Sequence, residues 1–127
     1  MKRGDTLIRS KRFRVDEFKR RLATLDAMRS DAERKLADLE DSVARERQRA
    51  NDSDIGRLAF PSFLRSIDTR RDNLKATLKD LERERDSVQA ALAVATQELK
   101  GLEFAAEQQQ RREKYSATGA SKPCQKS

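Results

Sequence analysis

The chain has 127 residues, of which 40% are charged and only 35% are hydrophobic, and this composition excludes a thick globular core. It contains no histidine and one cysteine, Cys124, which excludes an intrachain disulfide, the usual zinc sites and histidine-based catalysis. It has neither of the common glycine-rich phosphate-binding motifs. We therefore expect no enzymatic activity, no cofactor, no metal and no small-molecule substrate.

The first half of the chain predicts one long helix, from about residue 6 to about residue 50. Apolar side chains recur at two heptad positions that lie three residues apart. Disorder is the competing interpretation of so charged a chain, but this periodicity argues against it. The first position holds Ile8, Val15, Leu22, Leu36, Val43 and Ala50, and the second holds Phe18, Leu25, Ala32 and Leu39.

A turn is predicted at about residues 51–61, where Asn, Asp, Ser, Gly and Pro favour turns and helix caps. The heptad pattern resumes in a second helix, about residues 62–112, with Pro61 in its first turn. We therefore predict an all-α fold, in which two long helices form an antiparallel coiled-coil hairpin over residues 1–112. The second seam holds Leu64, Leu78, Leu92, Leu99 and Ala106 at one position, and Ile67, Leu74, Leu81, Val88, Ala95 and Leu102 at the other.

The predicted register of the hairpin places Ala50 opposite Ile67. The same register places two polar seam residues, Glu46 and Arg71, opposite each other, and a shift by one heptad would lose this charge match. Two further arginines, Arg29 and Arg85, fall near the middle of the seam. We expect their guanidinium groups to extend outward to the carboxylates of Asp26, Glu33, Glu82 or Asp86; a hinge at this point is the alternative.

The ends of the chain differ in character. After Arg112 the sequence contains Gly, Pro, Ser and Thr without an apolar seam, so residues 113–127 are predicted to form a disordered polar tail in which Cys124 is an inert thiol. At the other end, no apolar segment follows the first cations. We therefore expect no signal peptide and a cytoplasmic location.

Positive charge is concentrated at the N-terminus, where residues 1–21 hold nine Lys or Arg against three acidic residues. Cations in the first turns of a helix oppose its dipole, so a binding partner would explain them. The hairpin brings them beside the last cations of the second helix, and the predicted register sets two exposed phenylalanines at one level there. This basic tip is predicted to consist of Arg9, Lys11, Arg12, Phe13, Arg14, Lys19, Arg20, Arg21, Phe104, Arg111 and Arg112.

Two alternatives compete with a protein-binding basic tip. The charge run is equally consistent with a solvated surface that aids solubility. Nucleic acid or another polyanion is a further acidic partner, although no asparagine precedes Asn51, and the absence of this base-reading side chain disfavours sequence-specific DNA binding. Near the turn, Phe60, Phe63, Leu64 and Ile67 lie within eight residues, so Phe63 is a candidate contact unless the cluster only closes the turn.

Two segments resemble the flagellar export protein family FliJ: RGDTLIRSKRFRVDEFKRRLATLDAM at residues 3–28 and AFPSFLRSIDTRRDNL at residues 59–74. The resemblance extends over roughly residues 1–112. It implies a two-helix coiled coil similar to the central stalk of rotary ATP synthases. Such a protein works in the type III export apparatus that bacterial motility requires, in the cytoplasm and at the inner face of the cell membrane at the flagellar base.

The resemblance also implies three partners. The first is the hexameric export ATPase, whose ring the stalk enters and whose assembly and activity it promotes; the basic tip would bind it. The others are the export gate, a membrane protein, and the export chaperones. An aromatic residue followed four positions later by an aliphatic one is associated with gate docking in that family, and this pair matches Phe63 and Ile67.

Overall fold

The computed structural model describes residues 3–119, which form two long helices. Helix α1 (Arg3–Asp52) has 50 residues and helix α2 (Asp54–Gly119) has 66. The two helices pack against each other, and the described residues contain no strand. The predicted all-α helical hairpin is therefore confirmed.

The chain divides into two compact units, and each contains a segment of both helices. The turn unit comprises residues 21–88 and includes the junction between the helices. The terminal unit comprises residues 1–20 and 89–127. In both units the predicted heptad positions form the contact between the helices. Their buried members are Ile8, Val15, Leu25, Ala32, Leu39, Val43, Ala50, Ile67, Leu81 and Ala95.

The junction between α1 and α2 is a single residue, Ser53, and not the predicted segment 51–61. The Ser53 N–H donates to the carbonyl oxygen of Arg49 at 3.0 Å, while the Ser53 Oγ accepts from the N–H of Gly56 at 3.0 Å. Ser53 is thus the N-cap of α2. A Cβ at Gly56 would lie 2.5 Å from the Arg49 carbonyl oxygen, so the turn depends on the absence of a side chain there.

Pro61 does not mark the start of the second helix, as the sequence predicts. It lies inside α2, which begins at Asp54 rather than near residue 62. Proline has no N–H and usually ends or kinks a helix, because the carbonyl four residues earlier loses its donor. That carbonyl belongs to Arg57, and both residues are exposed, so water can replace the missing donor.

The polar residues of the seam show that the predicted register is wrong. Arg71 was expected opposite Glu46, but its Nε donates to Glu40 Oε1 at 2.9 Å. Glu46 instead binds Arg49 on its own helix at 2.8 Å. The charge match that favoured the predicted register therefore does not form.

The apolar residues give the direction of the error. Ile67 was expected opposite Ala50, but it packs in one cluster with Leu39 and Val43. Val43 precedes Ala50 by seven residues, so α2 has slid by one heptad. The early start of α2 causes this slip, because a one-residue junction brings α2 back sooner than the predicted turn would. Every seam residue stays in the seam after such a slip, and periodicity alone cannot detect it.

The arginines near the middle of the seam behave as predicted. Arg85 extends outward, and its Nε donates to Asp26 Oδ1 at 2.8 Å. Arg29 is exposed, with its Nε 3.8 Å from Glu33 Oε1. Within residues 4–117, whose burial is described, no charged or polar side chain is buried, so the core of the hairpin there consists of apolar side chains.

Helix α2 continues to Gly119, beyond the predicted limit of residue 112. The first seven residues of the predicted tail, 113–119, are therefore helical. A hydrogen bond of 3.3 Å from Gln109 to Glu113, one turn apart, supports this extension. The rest of the predicted tail, including Cys124, lies outside the described residues. In the part of the chain that is described, neither helix is both long and apolar enough to cross a bilayer.

Candidate functional site

Two cations of the predicted basic tip join the helices of the terminal unit. The Lys11 Nζ donates to Glu98 Oε1 at 2.9 Å, and the Arg12 Nη2 donates to Glu103 Oε2 at 2.7 Å. Opposite charges neutralise each other in both pairs. Lys11 and Arg12 therefore support the hairpin, and their charge is less available to a partner.

Two further arginines of the tip lie over aromatic rings. The guanidinium carbon of Arg14 is 5.0 Å from the centre of the Phe18 ring, and its Nη1 is 3.8 Å from Glu17 Oε1. The guanidinium carbon of Arg20 is 5.9 Å from the centre of the Phe13 ring. Such cation–π contacts order both members without removing the positive charge.

The remaining cations of the predicted site fall into two groups. Arg21 belongs to the turn unit, where it pairs with Glu84 across the hairpin. The other four are exposed, and within residues 3–119 they make no ion pair or hydrogen bond. These open cations are Arg9, Lys19, Arg111 and Arg112.

The two phenylalanines of the tip are exposed as predicted, Phe13 by 61% and Phe104 by 62%. They do not lie at the same level. Ile8 shares a cavity of about 330 Å³ with Leu102 and Ala106, which sets Phe104 beside Ile8 and not beside Phe13. The register slip accounts for this difference.

A groove of about 540 Å³ opens between the two helices of the terminal unit. It exists because the seam there pairs Ile8 with the short side chain of Ala106, which leaves space between the helices. Two arginines and three carboxylates border it, so its walls are polar. The complete lining is Asp5, Ile8, Arg9, Arg12, Glu103, Ala106, Glu107 and Gln110.

In the turn unit the two residues of the predicted gate-binding pair differ in their exposure to solvent. Phe63 is half-buried against the cluster of Leu39, Val43 and Ile67. Ile67 itself is only 1% exposed. A partner therefore cannot reach Ile67 while the hairpin is closed, whereas part of the Phe63 ring faces solvent.

Two residues that the sequence interpretation missed stand out beside the turn. Ile55 is 82% exposed and Leu58 is 83% exposed. The sequence does carry a signal for them: both lie off the heptad seam, and neither is needed for the contact between the helices. Their position within a predicted loop hid this signal.

The Asp31 carboxyl belongs to an ion network on the surface of α1. The side chains of Lys35 and Arg34 donate hydrogen bonds to Asp31, and these contacts lower the pKa of the Asp31 carboxyl. All three lie on one face of α1, an arrangement typical of a surface ion network. Within residues 3–119 no group of three or more His, Cys, Asp or Glu side chains could hold a metal ion.

The fold defines this protein as a helical hairpin. Its open cations and its exposed aromatic and aliphatic side chains lie on the surface, where a partner could contact them. A family model described as "Flagellar FliJ protein" matches residues 1–118. The chain belongs to this family, and membership supports a role in flagellar protein export. Comparisons with curated proteins and with solved structures give no significant match.

Proposed function

We propose that this protein is a non-enzymatic stalk and adaptor of the flagellar type III export apparatus. It binds and stimulates the hexameric export ATPase and contacts the export gate and the export chaperones. It acts in the cytoplasm, at the inner face of the cell membrane at the flagellar base. The family match over residues 1–118 is the observation that carries this proposal.

The contact with the ATPase is assigned to the terminal unit. The open cations, Arg9, Lys19, Arg111 and Arg112, supply charge that no carboxylate in the described residues neutralises. Exposed aromatic rings are frequent anchors in protein interfaces, and Phe13 provides one beside Arg20. Lys11 and Arg12 contribute indirectly, because their ion pairs hold α1 and α2 together beneath this surface.

The contact with the export gate is assigned to the turn unit. Phe63 is the candidate for direct contact, since its ring is only half-buried. Ile67 acts through packing: it fills the core beneath Phe63 and fixes the position of the ring. Binding of nucleic acid or another polyanion is the alternative function, because open cations attract phosphates as readily as carboxylates.

The ATPase assignment is tested by replacing the four open cations by Ser. We expect stimulation of the purified export ATPase to be lost and affinity to fall about tenfold or more, equivalent to ~1.4 kcal/mol. Helicity should be retained, since these side chains make no hydrogen bond or ion pair within the described residues. A matched control removes four exposed cations from the turn unit and should retain stimulation: Arg70, Lys75, Lys79 and Arg83.

Competition separates the two functions. The wild-type protein is titrated into the ATPase and into a random DNA duplex at near-physiological salt. Export function requires stimulation of ATP hydrolysis, with DNA bound only near the ~10⁻⁴ to 10⁻⁶ M typical of non-specific association. Tight DNA binding without any effect on ATP hydrolysis would reverse the ranking. Equal loss of stimulation in both four-cation variants would refute the assignment to the terminal unit.

A further inference from the structure

The side of α2 that points away from the seam is unusually apolar in the terminal unit. In a helix paired through a heptad seam, the two positions opposite the seam normally carry charged and polar side chains. From residue 90 to residue 115 these positions hold one cation and no acidic residue, although 40% of the chain is charged. We call this side the outer face, and its residues are Ala90, Val94, Gln97, Gly101, Phe104, Gln108, Arg111 and Tyr115.

Three large hydrophobic side chains of the outer face are open to solvent. Val94 is exposed by 61%, Phe104 by 62% and Tyr115 by 77%. The matching side of α1 in the same unit differs, because within residues 3–20 its one large hydrophobic residue, Phe13, is followed by the charged Glu17. A row of exposed hydrophobic side chains on one helix face, outside the contact between the helices, indicates a surface that a partner covers.

Gly101 leaves a gap near the middle of the outer face. A Cβ at this position would have no neighbouring atom within 4 Å, so the gap opens to solvent. Glycine weakens a helix interior relative to alanine, and no close packing within the described residues requires it here. An aromatic ring of a partner can lie directly on the helix backbone at such a gap. Phe104, on the same face, is a ring of this kind.

Two outer faces from two copies of the chain fit together in an antiparallel pair. Where Gly101 lies opposite Phe104 of the second copy, two-fold symmetry repeats this contact with the roles exchanged. The same register places Lys100 beside Glu107 of the second copy, again twice, at one edge of the face. Lys100 and Glu107 are exposed, and within residues 3–119 neither makes an ion pair or a hydrogen bond. One register therefore satisfies both the apolar and the charged residues.

The neighbouring registers of the same pair are unfavourable. A shift by one heptad in one direction places Lys100 beside Lys100 of the second copy. A shift in the other direction places Glu107 beside Glu107 of the second copy. Either shift also moves the aromatic ring away from Gly101, which would then face Gln97 or Arg111. Like charges at the edges of a coiled coil disfavour a register, so the charges select the register that fills the gap.

Other occupants fit the outer face less well. A nucleic acid or an anionic bilayer would meet one cation, Arg111, along roughly 38 Å of helix at 1.5 Å per residue, which is too little charge for electrostatic binding. A different protein would place no constraint on the spacing of Lys100 and Glu107. Their spacing has a consequence when the two surfaces are identical, because both ends of the pair then match.

We propose that the outer face of α2 binds the same face of a second copy of this protein, which gives an antiparallel two-fold dimer through the terminal units. Gly101 and Phe104 form the centre of the interface, and Lys100 and Glu107 fix its register. The inference does not rest on the proposed function. The dimer covers Arg111, one of the open cations, so the second copy and any other partner of Arg111 exclude each other.

The test measures dimerisation of the full-length protein by sedimentation equilibrium from ~1 μM to ~1 mM. Phe104→Ser should weaken the dimer at least about tenfold, equivalent to ~1.4 kcal/mol. A matched control, Phe13→Ser, removes a ring of nearly the same exposure, 61%, from α1 of the same unit and should leave dimerisation unchanged. Gly101→Gln should also weaken the dimer by filling the gap. It should retain the fold, because glutamine favours helix over glycine.

Charge reversal tests the register. Lys100→Glu alone and Glu107→Lys alone each place like charges at the edges, so each homodimer should be weaker than the wild-type dimer. A mixture of the two single variants pairs opposite charges at both edges and should form a mixed dimer in preference to either homodimer. The double variant should dimerise like the wild type. Circular dichroism checks that every variant is folded.

Four outcomes would overturn the inference. The first is a wild-type protein that remains monomeric over the whole concentration range. The second is equal weakening by Phe104→Ser and Phe13→Ser, and the third is a mixture of single variants that associates no better than each variant alone. The fourth is loss of export ATPase binding in Phe104→Ser with dimerisation unchanged, which would assign the outer face to the ATPase. In the first three cases ATPase stimulation by the wild type is unaffected, so the proposed function stands.

Discussion

The turn unit and the terminal unit use the same heptad seam but bury its side chains to different extents. The turn unit contains Leu25 and Ile67, the two largest fully buried side chains of the described residues. Among the described residues of the terminal unit, the buried side chains are Ile8, Val15 and Ala95, which are 4–9% exposed, and a groove opens beside Ala106. The heptad pattern shows where two helices meet, but side-chain volume decides how closely they pack.

This difference separates stability from binding. Burial of large aliphatic side chains supplies most of the stability of a thin core, so we expect the turn unit to be the more stable of the two. The terminal unit depends less on close packing for its stability, and its exposed Phe13 and open cations are available for binding. Variants that weaken one unit and spare the other will test this division.

The largest effect is expected for Ile67→Ala, which should destabilise the protein by ~2–5 kcal/mol, because it leaves a cavity in the cluster of Leu39 and Val43. Urea unfolding followed by circular dichroism measures the change. The control is Ile55→Ala, the same substitution at a position 82% exposed, which should cost less than ~0.5 kcal/mol. Similar losses for both variants would contradict the observed core.

A smaller effect of opposite sign in the two units is expected for Gly→Ala substitutions. Gly56→Ala should destabilise by ~1–3 kcal/mol, because its Cβ would press against the Arg49 carbonyl and shift the turn. Gly101→Ala should stabilise by up to ~1 kcal/mol, since its Cβ would meet open space and alanine favours helix. Thermal melting distinguishes them, and stabilisation by both would show that the junction is not tight.

Much of the fold followed from the sequence. Every predicted seam residue is buried or half-buried, because a heptad repeat leaves one stripe for the partner helix. The sequence does not predict the junction, because Pro61 and Gly56 are typical of loops. In the structure Pro61 lies inside α2, and Gly56 permits a tight turn. The predicted register is therefore wrong by one heptad.

The candidate site was less predictable for a different reason. Sequence identifies the cations but not which of them pair with carboxylates across the hairpin. The predicted basic tip therefore includes Lys11 and Arg12 together with Arg9, although only the first two are paired. Ile67 matched a family pattern for a binding residue, although its position in the seam already predicts that it is buried. The exposure of Ile55 required the helix to begin before it.

The smallest effect is expected for a surface ion network of the turn unit. The hydrogen bonds from Lys35 and Arg34 lower the pKa of Asp31 in the folded state, so its contribution is complete above the pKa of the unfolded chain. That contribution disappears as pH falls through the lowered pKa of the folded chain. Wild type and Asp31→Asn should therefore differ slightly in melting temperature at neutral pH and converge in acid.

A constant difference between these two proteins down to the lowest pH would exclude this titration as its source. The partners of Asp31 all lie on α1, so the substitution should weaken that helix and leave the contact between α1 and α2 unchanged. We therefore expect the stability of the turn unit to come from packing rather than from surface charge.

The one-residue junction also sets the order in which the hairpin can form. Near it, Glu40 meets Arg71 across 31 positions of the chain, whereas Lys11 must find Glu98 across 87. Chain closure costs more entropy for longer loops. Pairing of the helices should therefore start beside Ser53 and proceed, residue by residue, towards the termini. The chain is synthesised at roughly 5–20 residues per second. The apolar residues at the start of α1 are therefore made first and remain unpaired for longest, until the end of α2 has been synthesised.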